Sequence, residues 1–364
     1  MFTANIAEPE LKRVKEMTTY MRTDTVRVNL MDSSNAVSLS EGYVDHGEKH
    51  AQDALRLTLH VVDNAERIFP GTFDEFFNST AVAGILMHDV GRSVAGKDHD
   101  KHGAVITDQY LKELAVRLYG SEDALPDVFR ARTVSLVRRH RADSWLYKTA
   151  EEKARRTREL DGPDIAAVLL GDKLCGSEVR VPPAKQDLLN RLARIKIPRG
   201  FRRKHKLDSK WTFARINWNT PDLIVESPEF IKACLAALRR AKFKMPTDIS
   251  IGPHDRVNGA IKRNAVEMFA DTKIDDGKPE SANRKIKGTF VYHLDIDERL
   301  APQELVTGLD WWHDAFHVAA KAAKYLGFRF QIVFNGRHLI FDRAVNNWVF
   351  VDIVEYKIPK QAVA

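Results

Sequence analysis

Over its first 210 residues the chain repeats an apolar side chain every three or four positions, the period of a helix that buries one stripe. Between Glu48 and Phe69, the residues His50, Ala54, Leu57, Val61 and Ala65 share one face, and Pro70 ends the pattern. Asn78, Ser79 and Thr80 offer N-caps to an apolar helix, AVAGILMHD, which Gly91 closes. A third helix is expected from about Gly103 to Tyr119, with Gly120 just past its end. A fourth follows Pro126 and aligns Phe129, Thr133, Leu136, Val137 and His140. A fifth begins near Pro163 and carries Ile165, Val168, Leu169 and Asp172.

Beyond residue 210 the pattern turns to strands. The segment 288–296, GTFVYHLDI, mixes β-branched and aromatic residues, and a helix is expected from about Gln303 to Tyr325. FRFQIVF and RHLIFD flank Asn335-Gly336, a pair suited to a type I′ hairpin turn. NNWVFVDIV at 346–354 is expected to add a third antiparallel partner, and the polar stretch 272–288 to form a mobile loop. The fold class is therefore a mainly α helical domain followed by a smaller α+β domain with an antiparallel sheet. The expected organisation is an N-terminal extension (1–35), the helical domain (36–190), a basic linker (191–211) and the α+β domain (212–364).

Composition narrows the classes. The 364 residues are 44% apolar, enough for packed cores and too many for a disordered chain. Two cysteines, Cys175 and Cys234, exclude a disulfide framework and a cysteine-based zinc cluster, and point to a reduced, cytoplasmic setting. The N-terminal stretch has no apolar core of a signal peptide, and no apolar run approaches a membrane span. The net charge of +7 is local: residues 191–210 alone carry nine Lys/Arg against one Asp. Such a stripe suits a nucleic-acid backbone or a nucleotide polyphosphate, and equally a solvated linker.

The strongest chemical feature is His88-Asp89 at the end of an apolar helix, where a charged pair is costly unless something compensates it. In chain order His50, His99, His140 and Asp172 stand on or beside helix faces around it. Imidazoles and carboxylates without a competing thiolate suit one or two divalent ions such as Zn, Fe, Mn, Ni, Co or Mg. This H…HD…D pattern resembles the HD superfamily of metal-dependent phosphohydrolases over roughly residues 40–185. The resemblance implies His50 as first histidine, His88 and Asp89 as the doublet, and Asp172 in LLGDKLCG as the closing aspartate. It implies His99 and His140 as the two extra histidines of a binuclear branch. His46, one turn before His50, and His102, close after His99, compete for these places, and the continuing apolar face favours His50.

The implied activity is hydrolysis of a phosphoester of a nucleotide or nucleic acid by metal-activated water, without a protein nucleophile. Asp89, Arg92 and Lys173 are its candidate catalytic residues, and Arg138, Arg139 and Arg180 are candidate phosphate contacts. Two alternatives belong to other classes: a nucleotide or nucleic-acid binder with a degenerate site, and a di-iron oxygenase. His313-Asp314-Ala315-Phe316-His317 mimics a zincin helix but lacks its glutamate base, and its aromatic neighbours suggest packing. The segment IGPHDRVNGAIKR has too few glycines to cradle phosphate.

Overall fold

The computed structural model describes residues 6–41, 44–142, 145, 160–176, 180–204, 206–207, 209–216, 228–244, 246, 249, 251–270, 288–301, 310–342 and 347–351. Twelve α-helices run through these residues: α1 (Glu8–Met21), α2 (Thr25–Ser40), α3 (Glu48–Ile68), α4 (Glu75–Met87), α5 (His99–Tyr119), α6 (Asp127–Arg139), α7 (Pro163–Leu174), α8 (Pro183–Arg194), α9 (Arg199–Lys204), α10 (Pro228–Arg240), α11 (Pro253–Ala260) and α12 (Asp310–Tyr325). Five strands lie among the same residues: β1 (Ile261–Ala270), β2 (Gly288–Ile296), β3 (Phe328–Phe334), β4 (Arg337–Asp342) and β5 (Asn347–Val351), with short 3-10 turns such as Val90–Ser93 between elements. The protein is thus mostly helical, with an α+β unit at its C-terminal end. No helix among the described residues is long and apolar enough to cross a membrane.

Helix α7 is the hub. Every residue from Asp164 to Leu174 is buried, and the helix packs against α3, α4, α6 and α12. A sequence apolar on all sides, DIAAVLLG, has no solvent face to offer and therefore takes the centre. Its one glycine decides how close α3 comes. A Cβ on Gly171 would stand 2.0 Å from Thr58 Oγ1 and 2.9 Å from the Ala54 carbonyl. Only a residue without Cβ lets the two backbones touch there. The buried charge at the start of α7 is matched: Arg132 of α6 donates from Nε and a terminal nitrogen to Asp164 at 2.8 and 2.6 Å, and Thr80 of α4 donates to the same carboxylate.

The helix starts differ from the sequence reading in two places. Helix α4 begins at Glu75, because the Asp74 carboxylate accepts from the Phe77 amide and caps the helix before Asn78–Thr80 are reached. Helix α5 begins at His99, four residues before Gly103, so that His99 stands in its first turn. Residues 8–40 form two helices, α1 and α2, that pack on the rest of the fold. Helix α2 packs on the turn after α4, where Ser34 donates to the Val90 carbonyl, and buried Arg27 pairs with Glu48 at the start of α3.

The sheet runs in the order β1-β2-β3-β4-β5 and is mixed. Strands β1/β2, β3/β4 and β4/β5 pair antiparallel, whereas β2 and β3 pair parallel. The expected antiparallel sheet is corrected at that one pair. The chain leaves β2 and returns through α12 before β3, and a helical crossover of that length brings the next strand back in the same direction. The hairpin turn is as expected, with Asn335 and Gly336 at φ 46° and 74°. Strand β1 had no counterpart in the sequence reading. The stretch 271–287, the first turns of the 303–325 helix and residues 352–354 lie outside the described residues.

The sheet and the helices share one core. Helix α12 packs on α7 and β3, and β1 packs on α3, where His60 Nε2 bonds the Val266 carbonyl.

Candidate metal centre

Five helices deliver six side chains to one buried point. His50 comes from the first turn of α3, His99 from the first turn of α5, and Asp172 from the last turn of α7. His88 follows directly on α4 and His140 on α6, each as the residue that closes its helix; Asp89 comes next after His88. A second glycine makes the arrangement possible. A Cβ on Gly91 would lie 1.9 Å from the His99 carbonyl and 2.3 Å from the Gly103 amide, so α5 rests directly on the turn after Asp89.

The donor atoms form two groups that share Asp89. In the first, His50 Nε2 and His88 Nε2 are 3.0 Å apart, and Asp89 Oδ2 lies 3.5 and 3.2 Å from them. Asp172 Oδ1 completes this group at 3.7 and 3.6 Å from the same two nitrogens. In the second, His99 Nε2 and His140 Nε2 are 3.0 Å apart, with Asp89 Oδ1 at 3.3 and 3.6 Å. Ligands held at about 2.1 Å from one ion are about 3.0 Å apart at 90° and about 3.6 Å apart at 120°. Both groups fall in that range. Each of the six residues is buried, with only 2% of the Asp89 surface exposed.

The tautomers make the case sharper. His88 Nδ1 bonds the Ile85 carbonyl at 2.7 Å, His99 Nδ1 that of Gly96 at 2.9 Å, and His140 Nδ1 that of Val137 at 2.6 Å. A carbonyl only accepts, so each Nδ1 carries the hydrogen and each neutral ring presents a bare lone pair at Nε2. In the His99–His140 pair two such lone pairs face one another at 3.0 Å. Without a cation between them they repel; with one they are ligands, oriented by the outer bonds that metal-binding histidines usually have. The helix ends point the same way. Helices α4, α6 and α7 all end at the cluster, and each C-terminus contributes about half a negative charge toward a cation.

The protonation states are consistent with this. Burial opposes ionisation of Asp89, but the Arg92 charge beside it outweighs burial and holds the carboxyl well below the ordinary range. Asp172 is likewise held low against burial, by Lys173 and by the hydrogen bond from His50. Burial pushes His140 down to about 4, leaving it neutral. His50 departs upward: burial and Arg180 lower it, and Cys175, Asp172 and Asp89 more than compensate. In the metal-free cluster a proton on His50 meets the two carboxylates where a cation would.

Arg92 Nε donates to Asp89 Oδ1 at 2.9 Å, and Lys173 Nζ pairs with Asp172 Oδ2. Arg180 is buried, donates to the Asp45 carbonyl, and is close enough for its charge to depress His46. Arg138 is exposed on α6, and Arg139 donates to Asp161 and covers the Trp145 ring. His50 rather than His46 reaches the cluster; the His46 ring stands edge-on to His50 at 5.6 Å, its Nδ1 bonded to the Val44 carbonyl. His99 likewise takes the place for which His102 competed. The basic stripe interacts with its surroundings: Lys196 and Thr212 form a β-bridge, and Lys210 pairs with Glu298. His313 and His317 face each other at 4.5 Å among Phe341 and Trp348, which is packing.

The expectation that no thiolate stands at the site is corrected by Cys175, which groups with His50 and Asp172 and whose Sγ lies 3.4 Å from His50 Nδ1. Its position three residues after Asp172, on the same face of a buried helix end, was the available signal. Gly91 and Gly171 were read as punctuation or not at all, since their role is contact with distant backbone. The chain matches no protein-family model, no curated protein and no solved structure in the comparisons made.

Proposed function

We propose that the protein is a metal-dependent phosphohydrolase of the HD type, acting on a phosphoester of a nucleotide or nucleic acid. The single observation that carries the reading is the pair of facing Nε2 lone pairs, His99 against His140, both beside Oδ1 of the Asp89 carboxylate whose Oδ2 faces His50 and His88. His50, His88, Asp89 and Asp172 would hold one divalent cation, and Asp89, His99 and His140 a second. Cations there supply Lewis acidity, which lowers the pKa of water toward neutrality and polarises a phosphoryl oxygen. The chain contributes the rest. Asp89 and Asp172 stay ionised, and the neutral His140 keeps its Nε2 available. Arg92, Lys173 and Arg180 supply positive charge for the oxygens of a phosphoryl group as negative charge builds on them. Burial of the cluster excludes bulk water and strengthens each of these interactions.

A second reading has its own support: six ligands with a bridging carboxylate also suit a pair of irons in an oxygenase. One experiment separates the two. The full chain is expressed, its metal content measured, and hydrolysis of a chromogenic phosphodiester, nucleotides and single-stranded nucleic acids screened with Mn, Co, Ni and Mg. Metal-dependent phosphate release that is lost in Asp89→Asn, with folding retained, supports the phosphohydrolase. Two irons per chain with an O2-dependent product and no hydrolysis would favour the oxygenase. A chain that takes up no divalent ion overturns both.

A further inference from the structure

His50 is the exception among the four histidines. The other three fix Nδ1 on the carbonyl three residues back. For His50 that residue is Gly47, the N-cap of α3, whose carbonyl already accepts from the Ala51 amide. The ring needs another partner, and Cys175 stands there, 125 residues further along the chain. Its Sγ lies 3.4 Å from His50 Nδ1. The thiol donates its own hydrogen to the Asp172 carbonyl at 3.1 Å, so the sulfur turns a lone pair to the ring.

Cys175 is itself held from the sheet. Asn264 of β1 donates from Nδ2 to the carbonyls of Leu174 and Gly176, the residues on either side, both at 2.6 Å. Gly176 is pressed against that same half: its Cβ position lies 3.1 Å from Ile261 and from Trp312. The thiol is 3% exposed, so no bulk water replaces it as the ring's partner.

We infer that Cys175, clamped by Asn264, is the positioning residue for His50. It accepts the Nδ1 hydrogen, fixes the ring so that Nε2 meets the metal, and makes the C-terminal sheet responsible for the geometry of the first ligand. The inference rests on the metal-centre reading above. A partner of this kind accounts for about 10–100-fold in metal affinity.

The test uses the full chain and its variants Cys175→Ala, Cys175→Ser and Asn264→Ala, with melting curves to confirm folding. Chelator competition gives the affinity for Mn or Zn. Ring ¹⁵N shifts of the metal-free protein, at a pH that leaves His50 neutral, show which of its nitrogens carries the hydrogen, with His88 as internal control. Cys175→Ala is expected to weaken binding about 10–100-fold and to mix the His50 tautomers, and Asn264→Ala to change both in the same direction. Cys175→Ser, which keeps a donor and an acceptor, is expected to stay close to the parent. Unchanged affinity and an unchanged tautomer in Cys175→Ala overturn the inference. So does a sulfur-to-metal charge-transfer band in the cobalt-loaded parent, which makes Cys175 a ligand. A parent that binds no divalent ion overturns the metal reading instead, and the tautomer comparison still decides whether Cys175 orients the ring.

Discussion

Replacing Gly91 by alanine adds one methyl group where the backbones of two elements meet. The new Cβ would stand 1.9 Å from the His99 carbonyl oxygen, 2.3 Å from the Gly103 amide nitrogen and 2.8 Å from the Gly103 Cα. Real Cβ atoms essentially never approach heavy atoms within 3.0 Å. The first turn of α5 must therefore retreat by about 1 Å or more, and no side chain can rotate away instead. Overpacking of this kind costs about 1–3 kcal/mol, and the absence of a soft neighbour places this site at the upper end. In a large domain a loss of that size lowers the melting temperature by about 2–4 °C per kcal/mol, here about 6–12 °C. The functional effect is more specific. The displaced turn carries His99, whose Nε2 is 3.3 Å from Asp89 Oδ1, and a ligand that moves by 1 Å no longer fits an ion that tolerates about 0.2 Å. If the protein binds two cations as proposed, Gly91→Ala should lose the one between His99 and His140 and keep the one at His50, His88 and Asp172. Elemental analysis would fall from two metals per chain toward one, while Val94→Ala, at a residue 58% exposed, would leave both numbers unchanged. Two metals per chain in Gly91→Ala, with the parent's melting temperature, would refute the reasoning.

Two further outcomes test the fold and its response to pH. Arg132→Leu leaves the Asp164 carboxylate buried without its bidentate partner, and should cost about 3–5 kcal/mol in denaturant unfolding; a change below 1 kcal/mol would mean that the pair carries no weight. His317 is half-buried on Phe341 and Trp348 beside His313 and Lys321, and burial lowers it to about 4. As pH falls through the ordinary histidine value near 6.5, the unfolded chain takes up a proton that the folded chain refuses, so stability is lost from there down to about 4. With solvent screening of a half-exposed ring this amounts to about 1–2 kcal/mol. His317→Phe should flatten that part of the acid limb, and profiles that run parallel to the parent would contradict the assignment.

The local pattern determined much of this protein. The 3.6-residue period placed α3, α6 and α7 and the end of α4, and Asn335-Gly336 placed the hairpin, because these features depend on residues a few positions apart. The six metal-type side chains were legible for the same reason, each sitting at a helix end or on an apolar face. Three things were decided only by tertiary structure. The sheet is mixed because the crossover through α12 sets the direction of β3, and β1 exists because β2 supplies its hydrogen bonds. Which ring meets His88 completes the choice of His50, which the apolar face had favoured over His46, and Arg139 is engaged by an aspartate 22 residues away. The closeness of α3 to α7, and of α5 to the turn after Asp89, depends on Gly171 and Gly91 meeting backbone far along the chain. The link from Asn264 through Cys175 to His50 is of the same kind. Hydrogen bonds and steric limits across such distances leave no period in a sequence, because they arise only once the elements have packed.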